Sequence, residues 1–246
     1  MQKPNIYLDI DTTFNFQAAL EPNKDADKYS LVLQDYHQKL WSKKLPNGDT
    51  FKLEKLNYAC LLRYTSPKGE EFTLSSDRAV ATFTRWARLK HITEQINQVE
   101  LDEFNNITET IGGIIIWPST KVDRKNTINA ERGFNRKICD RLDLTIECIR
   151  RYYNNEKSPL YDTLKRYASF FDLFQDFKGY VDFFLFQDFV SNDYATTKLA
   201  KPFDNFESSP VPKTKEEYLD YMSHTTELVK ARDARIRTYS ENFLSL

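Results

Sequence analysis

The segment Thr110–Pro118 reads TIGGIIIWP, a β-branched run that follows two glycines and ends in a proline. β-Branched residues favour strands, and proline within a sheet is confined to strand ends and edges. The run therefore predicts a buried strand at residues 114–118. Gly112 and Gly113 predict a close backbone approach or a bulge just before that strand.

The sequence before this strand predicts a small antiparallel sheet followed by a helix. Turn signals at residues 46–49 and 66–69 separate three short strand-like runs, at residues 50–56, 59–65 and 71–74. Ser76 stands where a helix N-cap is expected, and apolar residues at helical spacing follow it. They predict a helix from there to about residue 97.

The sequence after the strand has helical periodicity. One helix face is predicted from the spacing of Ile138, Leu142, Thr145, Ile149 and Tyr152. Two more helices are predicted at residues 160–174 and 180–190, with Gly179 as the break between them. Thr214 and Glu217 have capping-box spacing and open a last helix that runs to about residue 239. Because its apolar stripe is interrupted, we expect this last helix to dock on the outside of the core.

Together these patterns predict an α+β fold. It is predominantly helical, with a small antiparallel sheet and central hydrophobic helices at residues 140–190. The predicted loops are short, and the chain contains no internal repeat and no low-complexity tract. We therefore expect residues 1–246 to form a single globular domain.

Composition limits the classes of function. The chain has 35 Lys and Arg against 36 Asp and Glu, a formal net charge of -1, so a nucleic-acid partner would require a local basic patch. No apolar signal segment and no run of about 20 apolar residues is present, which predicts no membrane association. Cys60, Cys139 and Cys148 form no CxxC pair, a usage typical of reduced thiols in the cytoplasm. The sequence gives no indication of oligomeric state.

Four segments together carry a resemblance to a known family. They are LWSK at residues 40–43, TIGG at 110–113, NAERGF at 129–134 and DFKGYVDFF at 176–184. With them, most of the chain resembles an uncharacterised family of bacterial cytosolic proteins of about this length. The resemblance implies a bacterial and cytoplasmic protein. It implies no activity, ligand or catalytic residue.

A second, shorter resemblance concerns Asp9 and Asp11, which follow a predicted short strand at residues 5–10. DIDTT at residues 9–13 is similar to the first motif of the haloacid dehalogenase superfamily. In that family the first aspartate is a nucleophile that also holds magnesium, and the second is an acid/base. The resemblance implies a magnesium-dependent phosphohydrolase. Against it, the chain shows too few strands for the parallel sheet of such enzymes, and a turn after a strand also explains the motif.

The most basic part of the chain suggests another function. Residues 121–151 contain nine basic and five acidic side chains, a local excess of +4. We expect the loop and helix at residues 118–141 to bind an anionic ligand such as a nucleotide or nucleic-acid phosphate. The predicted ligand-binding residues are Lys121, Arg124, Asn129, Arg132, Arg136 and Lys137. The alternative is a solvated face with internal ion pairs.

Two further observations complete the sequence-based hypotheses. The capped last helix is compatible with a protein–protein interaction module that has no catalytic activity. His37, His91 and His224 are far apart and lack metal-ligand spacing, so no zinc site is predicted. Magnesium enters only under the phosphohydrolase hypothesis, and the cofactor is otherwise unknown.

Overall fold

The computed structural model describes residues 9–56, 60–201 and 205–242. Within this part of the chain the helices are α1 Ala26–Tyr29, α2 Leu31–Trp41, α3 Lys90–Thr93, α4 Gln98–Thr108, α5 Ile128–Phe134, α6 Leu142–Tyr153, α7 Tyr161–Arg166, α8 Ala168–Phe171, α9 Phe177–Phe184 and α10 Lys215–Asn242. The strands are β1 Lys43–Lys44, β2 Thr50–Phe51, β3 Glu54–Lys55, β4 Leu62–Thr65, β5 Glu71–Arg78 and β6 Ile114–Pro118. The predicted α+β class, mainly helical with small antiparallel sheets, is confirmed.

The larger sheet has the strand order β3-β4-β5-β6, and all neighbouring strands are antiparallel. Strand β6 is the predicted β-branched strand, and all five of its residues are buried. All five of its residues pair with the last five residues of β5, so that Ile114 lies opposite Arg78 and Pro118 opposite Leu74. The proline stands at the end of an edge strand, where its missing N–H breaks no ladder hydrogen bond.

The helix predicted from Ser76 is wrong. Strand β5 continues through Ser76 to Arg78, because Ser76 pairs with Ile116 of β6. No helix or strand covers residues 79–86, and Phe83 has a φ of 58°, which a helix cannot contain. The apolar residues of this segment are buried as expected, but ladder pairing and irregular backbone bury them, not a helix face.

The aromatic region at residues 160–190 forms the centre of the core, as predicted, but its helices are shorter. The break lies at Gln175, which has a φ of 67°, and not at Gly179. Asp176 then caps α9 by accepting a hydrogen bond from the Gly179 N–H over 2.7 Å. Leu185, with a φ of 56°, ends α9 in the left-handed conformation.

Helix α10 begins as predicted, since the Thr214 hydroxyl accepts a hydrogen bond from the Glu217 N–H over 3.2 Å. The expectation that it docks on the outside of the core is wrong. Tyr218, Val229 and Ile236 are fully buried along one face of this helix. Of the helices in the described ranges, none combines the length and the apolar character needed to cross a membrane.

Candidate functional site

A polar cleft of about 470 Å³ opens where α1 packs against β5. Its wall is rich in charged side chains. The acidic ones are Asp25, Asp27, Asp77, Glu109 and Asp140, and the basic ones are Lys24, Arg78 and Arg85. Five carboxyl groups against three cations give the wall of this cleft an acidic excess.

Two short elements bring the central carboxyl groups together. Asp25 caps α1 by accepting a hydrogen bond from the Asp27 N–H over 3.1 Å, which fixes the first turn of a helix only four residues long. Asp77 is the penultimate residue of β5 and is held in register opposite Ile115. Because side chains alternate along a strand, Asp77 points away from the face that buries Ser76.

Asp27 and Asp77 form a carboxyl pair at the base of the cleft. The Asp27 side chain interacts with the Asp77 side chain and with the Arg78 N–H, and both interactions act to lower its pKa. Burial, together with the negative charge of Asp25, raises the pKa of Asp27 to about 7. Burial likewise raises the pKa of Asp77 well above its usual value. Two carboxyl groups this close cannot both be ionised at low cost, so the pair shares one proton.

The buried guanidinium of Arg132 contacts one member of this pair, Asp77. Its side chain is completely buried, and its Nη1 lies 2.6 Å from Asp77 Oδ2 and 2.6 Å from Asp140 Oδ1. Its Nη2 donates to the Asp140 carbonyl over 2.9 Å, and its Nε to the Thr145 hydroxyl over 3.2 Å. Protein acceptors therefore occupy the donor groups of this guanidinium. The predicted direct contact between Arg132 and a bound phosphate has no donor left to make it.

The other predicted ligand-binding residues fall into two groups. Asn129 lies next to the residues of the cleft, because its side chain interacts with Asp77 and its Oδ1 lies 3.5 Å from Arg132 Nη1. Four basic residues are exposed on the surface: Lys121, Arg124, Arg136 and Lys137. Lys137 lies 3.8 Å from Glu207, a distant and exposed ion pair. The anion-binding prediction for residues 118–141 thus depends on these four exposed side chains.

An ion pair between Arg78 and Glu109 forms another part of the cleft wall, with Nη1 and Oε1 2.5 Å apart. Burial raises the pKa of Glu109, although the positive charges of Arg78 and Arg85 oppose that effect. The guanidinium of Arg78 is about one third exposed, at 32%. It therefore offers donor groups to a molecule in the cleft while it stays paired.

Asp9 and Asp11 lie elsewhere, in an exposed turn. Asp11 Oδ1 accepts hydrogen bonds from the Thr13 hydroxyl over 2.7 Å and from the Thr13 N–H over 2.9 Å. These bonds lower the pKa of Asp11, with the hydroxyl as the larger cause. This is the turn that was the alternative explanation of the motif. Residues 5–8 of the predicted strand lie outside the described residues.

The acidic residues of α6 and the segment before it are ion-paired, as their basic neighbours led us to expect. Asp143 pairs with Arg141, and Glu147 lies 2.9 Å from Arg150 Nε and 2.7 Å from Arg151 Nε. Within the described ranges, no cluster of three or more His, Cys, Asp or Glu side chains has the geometry to hold a metal ion.

Sequence reasoning missed Asp27 and Asp77. The available signal was the DR pair at residues 77–78, two charged residues that directly follow a strand-like run. A charged residue at a buried strand end requires a partner. Our prediction of a helix from Ser76 assigned this pair to a helix and so hid the signal.

Comparison with known proteins identifies the family. Residues 10–236 match the group described as Family of unknown function (DUF6994). The chain belongs to this family. The match confirms the predicted resemblance to an uncharacterised family and extends over most of the chain. No curated protein and no solved structure matches the chain. The family description names no activity, so the function must be argued from the cleft.

Proposed function

We propose that the cleft at Asp27 and Asp77 binds a small, polar, neutral or cationic molecule and transfers a proton to or from it. The observation that supports this proposal is the interaction between two half-buried carboxyl groups whose pKa values are both raised. A pair that holds one proton near neutral pH has both an acid and a base available at one place. Such a pair suits an enzyme that uses general acid–base catalysis.

The roles of the two aspartates differ because their surroundings differ. Asp77 contacts the buried guanidinium of Arg132, which favours its ionised form. Among the described residues Asp27 forms no ion pair, and the charges of Asp25 and Glu109 act against its ionisation. Asp27 therefore carries the shared proton and acts as the acid, and Asp77 acts as its anionic partner.

The charge of the wall restricts the class of ligand. The five acidic groups outnumber the three basic ones, and Arg78 is already paired with Glu109. This composition disfavours a phosphate or a dicarboxylate. It favours molecules that donate hydrogen bonds through hydroxyl or amino groups, such as polyhydroxy compounds and amines.

NMR on protein labelled with ¹³C at the aspartate carboxyl carbons tests the proposal. We expect Asp27 to titrate near neutral pH in the wild type, and its signal to shift when ribose or spermidine is added. Asp27→Asn should abolish binding of these probes, whereas Asp35→Asn, a substitution in an ion-paired surface aspartate, should leave it unchanged. Inorganic phosphate should not shift the Asp27 signal. If phosphate binds in the cleft and neither other probe does, the proposal is wrong.

A second candidate function is the binding of an anionic partner on the surface of residues 118–141. The observation that favours it is the exposure of Lys121, Arg124, Arg136 and Lys137. Heparin affinity of the wild type compared with Arg124→Ala/Arg136→Ala tests it, and equal salt-dependent elution of the two would remove it. The free thiols at Cys60, Cys139 and Cys148 support the bacterial cytoplasmic location that accompanies both candidates.

A further inference from the structure

Lys43, on strand β1, has an unusual environment for a lysine. Three aromatic rings surround its Nζ atom: the ring centroids of Trp41, Phe183 and Tyr239 lie 5.1, 4.8 and 4.5 Å away. The three rings come from α2, α9 and α10, so the side chain is held where three helices approach the β1–β2 hairpin. Lys44, the next residue, is exposed.

The amine of Lys43 lacks a carboxylate partner among the described residues. Among the described residues it forms no ion pair, whereas Lys178 and Lys39 each pair with an aspartate one helical turn away. Two charged groups face it: the guanidinium of Arg232 and the carboxylate of Asp182. Asp182 is itself engaged by Lys178, Gln187 and Tyr194.

Burial and the neighbouring charge make the neutral amine accessible near physiological pH. Burial is the larger cause and Arg232 the second, and together they lower the pKa of Lys43 to about 7 against the opposing effect of Asp182. The aromatic rings act in the opposite direction and favour the ammonium form, because their faces are electron-rich. The lysine thus alternates between a neutral amine and a cation held over the rings.

Lys43 borders two cavities. A cavity of about 450 Å³ is bordered by Lys43, Pro46, Asp182 and Phe183. A second, of about 400 Å³, is bordered by Lys43, Thr50 and Tyr239. Each is large enough to hold a small organic molecule.

We propose that Lys43 is a nucleophilic lysine that forms an imine with a small aldehyde or ketone bound in these cavities. The lone pair of the neutral amine attacks the carbonyl carbon, and one of the two amine protons passes through water to the carbonyl oxygen. The resulting carbinolamine loses water to give the imine, so that one water leaves for each C=N bond formed. The protonated imine is a cation, and the aromatic faces that contact Nζ stabilise it as they do an ammonium.

This inference is independent of the cleft at Asp27 and Asp77, because the two sites share no lining residue. Either can fail without the other. Lys44 supplies an internal control, since it borders the same two cavities and belongs to the same strand but is exposed.

Reductive trapping on the full-length wild-type protein tests the proposal. Butyraldehyde and cyanoborohydride are added in limiting amounts at several pH values, and peptide mass spectrometry measures the modification of each lysine. At pH 7.5 we expect Lys43 to react at least about tenfold faster than Lys44, because ordinary lysines are protonated at that pH. The rate at Lys43 should reach half of its maximum well below the pH at which the other lysines do. In urea this difference should disappear.

Two results would overturn the proposal. One is a rate at Lys43 equal to or lower than that at Lys44, which would mean that the cage shields the amine. The other is a pH profile at Lys43 that matches those of the exposed lysines. Asp182→Asn gives an independent check, because removal of the opposing carboxylate should move the Lys43 profile to lower pH. An unchanged or higher midpoint in that variant would contradict the assigned environment.

Discussion

Arg132 donates to Asp77 over 2.6 Å, and this contact joins helix α5 to the end of strand β5 that lines the cleft. The guanidinium is completely buried and also contacts Asp140. A buried cation of this kind costs desolvation free energy, and only its close carboxylate and carbonyl partners offset that cost. The contact therefore stabilises the cleft, and its removal would leave the desolvation free energy without compensation.

Replacing Arg132 with alanine should strongly destabilise the fold. It would leave the buried carboxylate of Asp77 without its cation, and loss of one partner of a buried pair costs about 3–5 kcal/mol. Urea unfolding measures the loss. Arg136→Ala is the matched control, because Arg136 is exposed on the same segment and should change the free energy of unfolding by less than about 0.5 kcal/mol. Equal stability of the two variants would contradict the structural role of Arg132.

The Asp27→Asn variant should change how stability depends on pH. The pKa of Asp27 is about 7 in the folded protein and 3.8 as its ordinary value, so the folded state binds the extra proton. The stability from this group is complete below pH 3.8 and is lost as the pH rises through about 7. As the pH rises from 4 to 8, the free energy of unfolding of the variant should therefore increase relative to that of the wild type by on the order of 2–4 kcal/mol.

Asp35→Asn provides a control of opposite sign for this pH experiment. Burial acts to raise the pKa of Asp35, but the hydrogen bonds from Lys39 and Lys55 outweigh it, and the pKa is lowered. The stability from Asp35 is present above pH 3.8 and is lost as the pH falls below that value. Relative to the wild type, this variant should lose stability as the pH rises. If both variants respond in the same direction, the assigned environment of Asp27 is wrong.

The sequence was informative where local pattern decides structure and uninformative where distant segments meet. Strand β6 was predicted because a β-branched run ended by proline is a local signal. The pair of Asp27 and Asp77 was not, because the two residues lie on elements far apart in the chain that only tertiary packing brings together. Arg132 was predicted to bind a ligand because of its basic surroundings, but its burial and its acidic partners could not be predicted from them.

Gly179 lies inside helix α9 for a steric reason that can be tested. We predicted a helix break there, yet Gly179 is the third residue of α9. A Cβ at this position would lie 2.0 Å from the Phe174 carbonyl oxygen and 3.1 Å from Pro46 Cγ. The residue is glycine because neighbouring backbone fills the space of a side chain, and not because the helix stops.

Alanine substitutions at two glycines should thus have opposite effects on stability. Gly179→Ala forces backbone to move and should cost more than about 2 kcal/mol, as overpacking does. Gly133 is exposed in α5, and the nearest atom to an added Cβ there is Asp140 Oδ1 at 3.9 Å. Gly133→Ala should stabilise the protein by about 0.5–1 kcal/mol, because alanine has the higher helix propensity. Thermal unfolding compares the two, and a stabilised Gly179→Ala would refute the packing argument.

The last prediction concerns helix α10 and its role in the core. Tyr218 and Tyr221 donate hydrogen bonds to the carbonyl oxygens of Thr82 and Ala81, over 2.5 and 2.7 Å. These carbonyls belong to residues 79–86, which form no helix or strand and so depend on α10 to satisfy their buried polar groups.

Farther along α10, Asp233 accepts hydrogen bonds from the Gly112 N–H and the Thr110 hydroxyl, each over 2.7 Å, just before β6. The helix therefore supports both the backbone that leaves β5 and the backbone that enters β6, and it cannot open without leaving buried groups unpaired. We expect the amides of residues 218–236 to exchange as slowly as those of α9, through global unfolding alone. Native-state hydrogen exchange at several low urea concentrations measures this. Faster exchange in α10 than in α9, insensitive to urea, would show that α10 opens by itself and that the core is stable without it.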